Sequence, residues 1–155
     1  MKYYSLIQTP FGTAVLSEED GAIVELSFDA HGCCGMQKET PLLRMAAKQL
    51  SEYFSGRRQI FDLPLNPIGT KFQRDVWNAL LEIPFGETKS YAQVAAATGR
   101  DKAARPVGGA VGKNPIPIII PCHRVLAANN KIGGFSLGLD MKRKLLKIES
   151  ILVDN

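Results

Sequence analysis

The sequence predicts an α/β lobe, built from a small antiparallel sheet plus one helix, followed by a mostly helical lobe of the winged helix-turn-helix class. The first thirty residues alternate apolar and polar side chains between turn signals, as half-buried strands do. Asn66-Pro67-Ile68-Gly69 then has the composition of a linker. Beyond it, short helical patterns opened by Ser or Thr replace the strand pattern. These observations divide the chain into residues 1–66 and 70–155. With 155 residues and 45% hydrophobic side chains, the chain is long and apolar enough to bury a real core.

The stretches YYSLIQTP, FGTAVLS and AIVELSFD read as a three-stranded meander, turning at Pro10-Phe11-Gly12 and at residues 18–21. HGCCGMQKE is a polar loop. Thr40-Pro41 has the form of an N-cap and first helical residue, and Leu42, Leu43, Ala46, Leu50, Tyr53 and Phe54 recur at helical spacing before Gly56 ends the run. IFDLPL is expected to add one more short strand. After the linker, Thr70 caps KFQRDVWNALLEI and Ser90 caps YAQVAAAT, while a third helix begins between Asp101 and Ala104.

The last two helices, joined across Gly99-Arg100-Asp101, have the size of a helix-turn-helix whose second member reads DNA. That helix, AARPVGGAVGK, is dense in Ala and Gly, and the glycines cost helix stability through backbone entropy. Small side chains permit close approach, either to a DNA groove or to a neighbouring helix. Pro106 is tolerable in the first turn alone. NPIPIIIPC, with three prolines, predicts an extended, rigid, apolar segment. RVLAANNKIGGF predicts a hairpin around Asn129-Asn130, the wing. Asp140 is expected to cap MKRKLLKIESIL, with Met141, Leu145, Leu146, Ile148 and Leu152 as its buried stripe.

The net charge of +4 is unevenly spread: residues 1–69 hold six Lys/Arg against eight Asp/Glu, and residues 70–155 thirteen against seven. A basic second part suits a polyanion. No apolar run has the length of a signal peptide or a membrane span, so the expectation is a soluble, cytoplasmic protein. Three cysteines, Cys33, Cys34 and Cys122, argue against a disulfide framework and leave at least one free thiol. His31, Cys33 and Cys34 lack zinc-ligand spacing, which favours a metal-free loop.

Cys122 follows the proline-stiffened Ile118, Ile119 and Ile120, so its position is set before any substrate arrives. A positioned thiol becomes a nucleophile when a base or positive potential raises its thiolate fraction. His123 is the adjacent base, and because sequence neighbours point apart, a bridging water is the expected link. Glu149, in the last helix, can orient the imidazole. Taken singly, an inert buried thiol, an ordinary histidine and an exposed helix charge are the blander readings.

IPCHRV, together with TKFQRDVWNALLEIPFGETKSYAQVA, KAARPVGGAVGKNPIPIIIPCHRV and GGFSLGLDMKRKLLKIE, resembles the O6-alkylguanine-DNA alkyltransferases in sequence and in order. The likeness is strong over residues 70–150 and compatible with a ribonuclease H-like lobe before them. It implies that Cys122 accepts the alkyl group, with His123 and Glu149 linked to it through water and Asn114 bracing the active-site turn. It further implies that Tyr91 helps rotate the nucleotide and protonates the departing guanine, and that Arg105 enters the base stack. From composition alone, Tyr91 reads as packing, Arg105 as a phosphate contact and Asn114 as a turn residue.

An alkyl group on guanine O6 points into the base pair, so attack requires the nucleotide to be flipped out of the duplex. Close approach of the reading helix around Gly108, and base reading by backbone near Val125 and Ser136 beside Phe135, complete the expected site. The thioether product is not hydrolysed, so each molecule acts once and needs no cofactor. The expected partner is double-stranded DNA containing O6-alkylguanine, with O4-alkylthymine a possible second lesion, and a monomer suffices. Phe135, where many relatives have Tyr, and Leu137, where Gly is common, bear on the size of alkyl group admitted. A Cys-His-Glu thiol hydrolase or acyl transferase, and a winged-helix binder without covalent chemistry, are the competing readings.

Overall fold

The computed structural model describes residues 1–29 and 34–153. The chain divides into two compact units, Met1–Ile68 and Gly69–Asn155. His31 and Cys33 lie outside the described residues, and Cys34 is exposed.

In the first unit, strands β1 (Lys2–Thr9), β2 (Gly12–Glu19) and β3 (Ala22–Ser27) form the expected antiparallel meander. A two-residue strand β4 (Met36–Gln37) joins β1 in parallel, setting Tyr3 against Met36, so the sheet is mixed, in the order β3-β2-β1-β4. Helix α1 (Pro41–Phe54) covers it with Leu43, Ala46, Leu50 and Tyr53 buried. Thr40 does two things at once. Its side-chain oxygen accepts from Leu43 N–H as the helix cap, and its hydroxyl donates to the buried Glu18 carboxylate on β2 at 2.6 Å. That bond supplies Glu18 with the partner a buried charge requires.

The strand expected at IFDLPL is absent. Leu65 makes one isolated bridge to Ile23, flanked by Ile23 N–H to Pro64 O and Asn66 N–H to Ile23 O, both 2.8 Å. Pro64 has no N–H to extend the ladder.

The second unit opens with α2 (Lys71–Leu81), then α3 (Tyr91–Ala97) and α4 (Ala104–Gly112). Thr70 with Gln73, and Ser90 with Gln93, close reciprocal capping boxes, so both starts are dictated locally. Gly99 takes φ 75° to end α3, and Pro106 falls at the third residue of α4, in its first turn. Val76, Trp77 and Leu80 of α2 join Val94 and Ala95 of α3 and Val107, Ala110 and Val111 of α4 in the buried core. Trp77 donates its indole N–H to the Ala110 carbonyl at 2.9 Å. Among the described residues no helix is long and apolar enough to cross a membrane.

Several expectations give way here. The wing is not a hairpin: Ala127 and Lys131 make one antiparallel bridge around Asn129 and Asn130, both left-handed. The adjoining strand β6 (Val125–Leu126) pairs instead in parallel with β5 (Lys89–Ser90). Helix α5 (Leu139–Ile148) is capped by Gly138 at φ 99°, and Asp140 sits inside its first turn, where a carboxylate favours the helix dipole. Leu145 and Leu146 are buried and Met141 and Ile148 half-buried, but Leu152 lies beyond the helix end and is exposed.

Candidate active site

The segment before Cys122 is buried and apolar as expected, yet it is a tight turn rather than an extended run. Ile118 adopts φ 75°, a conformation costing a β-branched residue about 1–3 kcal/mol. Ile119 N–H donates to Pro117 O, and Ile120 N–H to Ile116 O, both at 2.9 Å. Asn114 holds the turn from both sides: its Oδ1 accepts from Ile116 N–H at 2.9 Å and its Nδ2 donates to Ile120 O at 2.8 Å. The turn delivers Cys122 into a single 3₁₀ turn, Cys122–Arg124, with the thiol 4% exposed.

Burial pushes the Cys122 thiol above its ordinary value; hydrogen bonding from Asn114, the charge of Lys142, and backbone N–H groups of Cys122 and Ile118 pull the other way. The resting group is therefore a thiol, surrounded by donors that favour the thiolate once it forms. Tyr91, the first residue of α3, is raised by burial and by the negative charge that Cys122 would carry, so its phenol keeps its proton. A Cβ placed on Gly108 would lie 3.7 Å from the Tyr91 ring, and one on Gly133 would lie 3.5 Å from it. The tyrosine thus sits between Gly108 of α4 and the turn that holds Gly133.

His123 is wholly buried, its Nε2 2.5 Å from Glu149 Oε2. Glu149 follows the last residue of α5 as its cap and also accepts from Arg124 Nε at 2.8 Å, from the second Arg124 nitrogen at 3.2 Å, and from Gly86 N–H at 3.0 Å. Arg124 completes its bonding on the Ile83 carbonyl at 2.7 Å. Burial depresses His123 below its ordinary value against the opposing effect of the hydrogen bond it makes to Glu149. A neutral ring that donates Nε2–H to a carboxylate keeps its lone pair on Nδ1, which makes Nδ1 the basic atom.

Two residues that the sequence did not single out organise this region. Arg124 neutralises Glu149 by a two-point ion pair; its place in the CHR triplet was the available signal. Lys142, wholly buried on α5, donates to the carbonyls of Val125 (2.8 Å), Ile132 (2.6 Å) and Gly134 (3.0 Å). It ties β6 and the wing turn to the last helix. Burial pulls its ammonium down to about 8.

Val125 is buried, with its N–H on Cys122 O and its carbonyl accepting from Lys142 at 2.8 Å. Phe135 is half-buried beneath Lys142, 5.9 Å from ring centre to ammonium, and Ser136 is exposed. Arg105 is exposed at the second residue of α4. Gly109 and Gly112 face open space, with nothing within 4 Å of a built Cβ, and Gly108 meets no more than ordinary contact. A side chain at these positions would meet no clash with the neighbouring helices.

Residues 71–151 match the family described as 6-O-methylguanine DNA methyltransferase, DNA binding domain, and residues 2–67 match its ribonuclease-like domain. The chain is 43% identical to a methylated-DNA–protein-cysteine methyltransferase of Methanosarcina acetivorans, over 95% of this chain and 97% of that one. It is 42% identical to the constitutive enzyme of that name from Bacillus subtilis, over 97% of each chain. Among solved structures, Mycobacterium tuberculosis OGT in complex with DNA superposes with a TM-score of 0.88 at 40% identity, covering 95% of this chain and 92% of that one. Two matched domains in the family order, and relatives aligned over nearly their full length, make this chain a member of the 6-O-methylguanine DNA methyltransferase family.

Proposed function

We propose that this protein repairs alkylated DNA directly, moving the alkyl group from O6-alkylguanine in a duplex to the sulfur of Cys122. One observation carries the reading. A buried thiol stands at the end of a left-handed turn that Asn114 braces through Ile116 N–H and Ile120 O, in a chain that matches the DNA-binding domain of the family.

The chemistry follows from the protonation states. The thiol is protonated at rest and His123 is neutral, so His123 Nδ1 takes the thiol proton, through a water, as the substrate is engaged. Glu149 stabilises the resulting imidazolium. The thiolate attacks the alkyl carbon in line; the carbon–O6 bond breaks, its electron pair stays with guanine, and the Tyr91 phenol supplies the proton that leaves the base neutral. A thioether remains on Cys122, so one molecule repairs one lesion, and the transferred group comes from the DNA itself.

In this reading the nucleotide is flipped from the stack, Arg105 fills the vacancy, and Gly108 and its neighbours let α4 press into the groove. Val125, Phe135 and Ser136 line the flipped base. Residues 70–155 bind DNA and carry the acceptor, residues 1–66 form a supporting lobe of ribonuclease H-like type, and the protein works as a cytoplasmic monomer. O4-alkylthymine presents the same alkyl carbon to the thiolate and is a second substrate in the same proposal.

Stoichiometry tests it. With methylated duplex in excess, methyl removal stops at one equivalent per protein, and Cys122→Ala removes none. Continued turnover would point to a thiol hydrolase, and binding without removal to a winged-helix binder.

A further inference from the structure

Helix α4 is weak on its own terms. It contains three glycines, its N-cap Ala103 offers no capping side chain, and Pro106 lies in its first turn. Its placement must come from outside the helix. Toward its C-terminal end the Trp77 indole, on α2, bonds the Ala110 carbonyl. At the other end the hold passes through Arg100, in the turn that leads into α4.

Arg100 is fixed by backbone and side chain alike. Its N–H closes α3 on Ala95 O at 2.9 Å, and its carbonyl accepts from Ala103 N–H at 2.8 Å, directly before α4. One guanidinium nitrogen donates to Thr98 O at 3.2 Å and another to Asp75 Oδ2 at 3.1 Å, while the group stacks 5.0 Å from the Phe72 ring centre. Asp75 and Phe72 both belong to α2, and the same Asp75 oxygen also accepts from Lys71 at 3.0 Å. Hydrogen bonds from Lys71 and then Arg100 lower the Asp75 carboxyl, which keeps it charged. Helix α2 thus grips the reading helix at both ends, and Asp75 and Trp77 stand two residues apart on it.

We propose that Asp75 and Arg100 are positioning residues for DNA-dependent transfer: they fasten the lead-in of α4 to α2 so that Arg105 meets the duplex at a fixed height. The proposal rests on the function given above and predicts an effect on duplex substrate alone. A free O6-methylguanine base has no duplex for Arg105 to meet, so the height of the α4 lead-in does not enter its transfer.

Single-turnover methyl transfer would be measured at saturating methylated duplex and, separately, with free O6-methylguanine base. Arg100→Ala and Asp75→Asn each slow the duplex reaction roughly fivefold, and the double variant is no slower than either alone, as for two members of one contact. Transfer from the free base is unchanged, and Arg100→Lys, which keeps the charge, recovers part of the duplex rate. Equal losses on both substrates would reduce the pair to general stability and overturn the proposal, as would unchanged duplex rates. If the wild-type protein moved no methyl group from either substrate, the alkyl-acceptor function itself would fail, and this proposal with it.

Discussion

His123 Nε2 stands 2.5 Å from the Glu149 carboxylate, with both side chains closed to solvent. The carboxylate is shared: Arg124 and the Gly86 amide bind it too. Glu149→Gln keeps the shape and removes the charge, stranding a buried guanidinium, and is expected to cost about 3–5 kcal/mol of stability. Urea unfolding measures it. A loss below 1 kcal/mol would mean that Arg124 finds another partner.

The His123 ring gives stability a defined pH dependence. Its folded value lies below the ordinary 6.5, chiefly through burial, against the pull of Glu149 and with the charges of Arg124 and Lys142 acting in the same direction as burial. Below 6.5 the unfolded chain therefore binds a proton that the folded chain refuses. Stability from this group is complete above 6.5 and is lost as pH falls through it. Urea midpoints should drop between neutral and mildly acidic pH, and the drop should shrink in His123→Gln, in which His31 is the one histidine left. An equal drop in the variant would assign the effect elsewhere.

Asn114 supports a strained backbone. Asn114→Ala deprives Ile116 N–H of its acceptor and leaves Ile120 O with the Cys122 N–H alone, for a stability loss of about 2 kcal/mol. The Ile118 turn then relaxes and the sulfur shifts. Single-turnover transfer, measured where the variant is fully folded, should slow by roughly ten- to a hundredfold. A rate equal to the wild type would show that the turn keeps its shape without this brace.

Gly109 separates helix stability from function. Open space surrounds the site of its missing Cβ, so Gly109→Ala should stabilise the protein by about 1 kcal/mol. If α4 enters a DNA groove, the same methyl group should weaken duplex binding. Thermal unfolding and a duplex titration read the two effects, and stabilisation with unaltered affinity would place the groove contact on another face.

How far the sequence reaches is visible in particular residues. Thr40, Thr70 and Ser90 were legible as caps because each acts on an N–H three residues away. Cys122, Asn114, His123 and Glu149 were legible through motif and order, and the structure joins Glu149 to His123 across 26 positions. Lys142 was not: a lysine on an outwardly basic helix reads as solvated, and nothing local announces three carbonyls converging on it. Ile118 was hidden for the opposite reason. Its neighbours argue for extended backbone, and side-chain bonds from Asn114, four residues upstream, hold the left-handed turn. The end of α5 was misjudged because Ser150 takes φ 59° without a glycine to signal it.

The central claim concerns one atom, the sulfur of Cys122. Duplex DNA carrying isotopically labelled O6-methylguanine, incubated with equimolar protein and followed by peptide mass mapping, reads it directly. The account predicts one labelled methyl group, on the peptide containing Cys122 and as a thioether, with guanine restored in the DNA. Label on another residue, or none on protein while the lesion disappears, would contradict it.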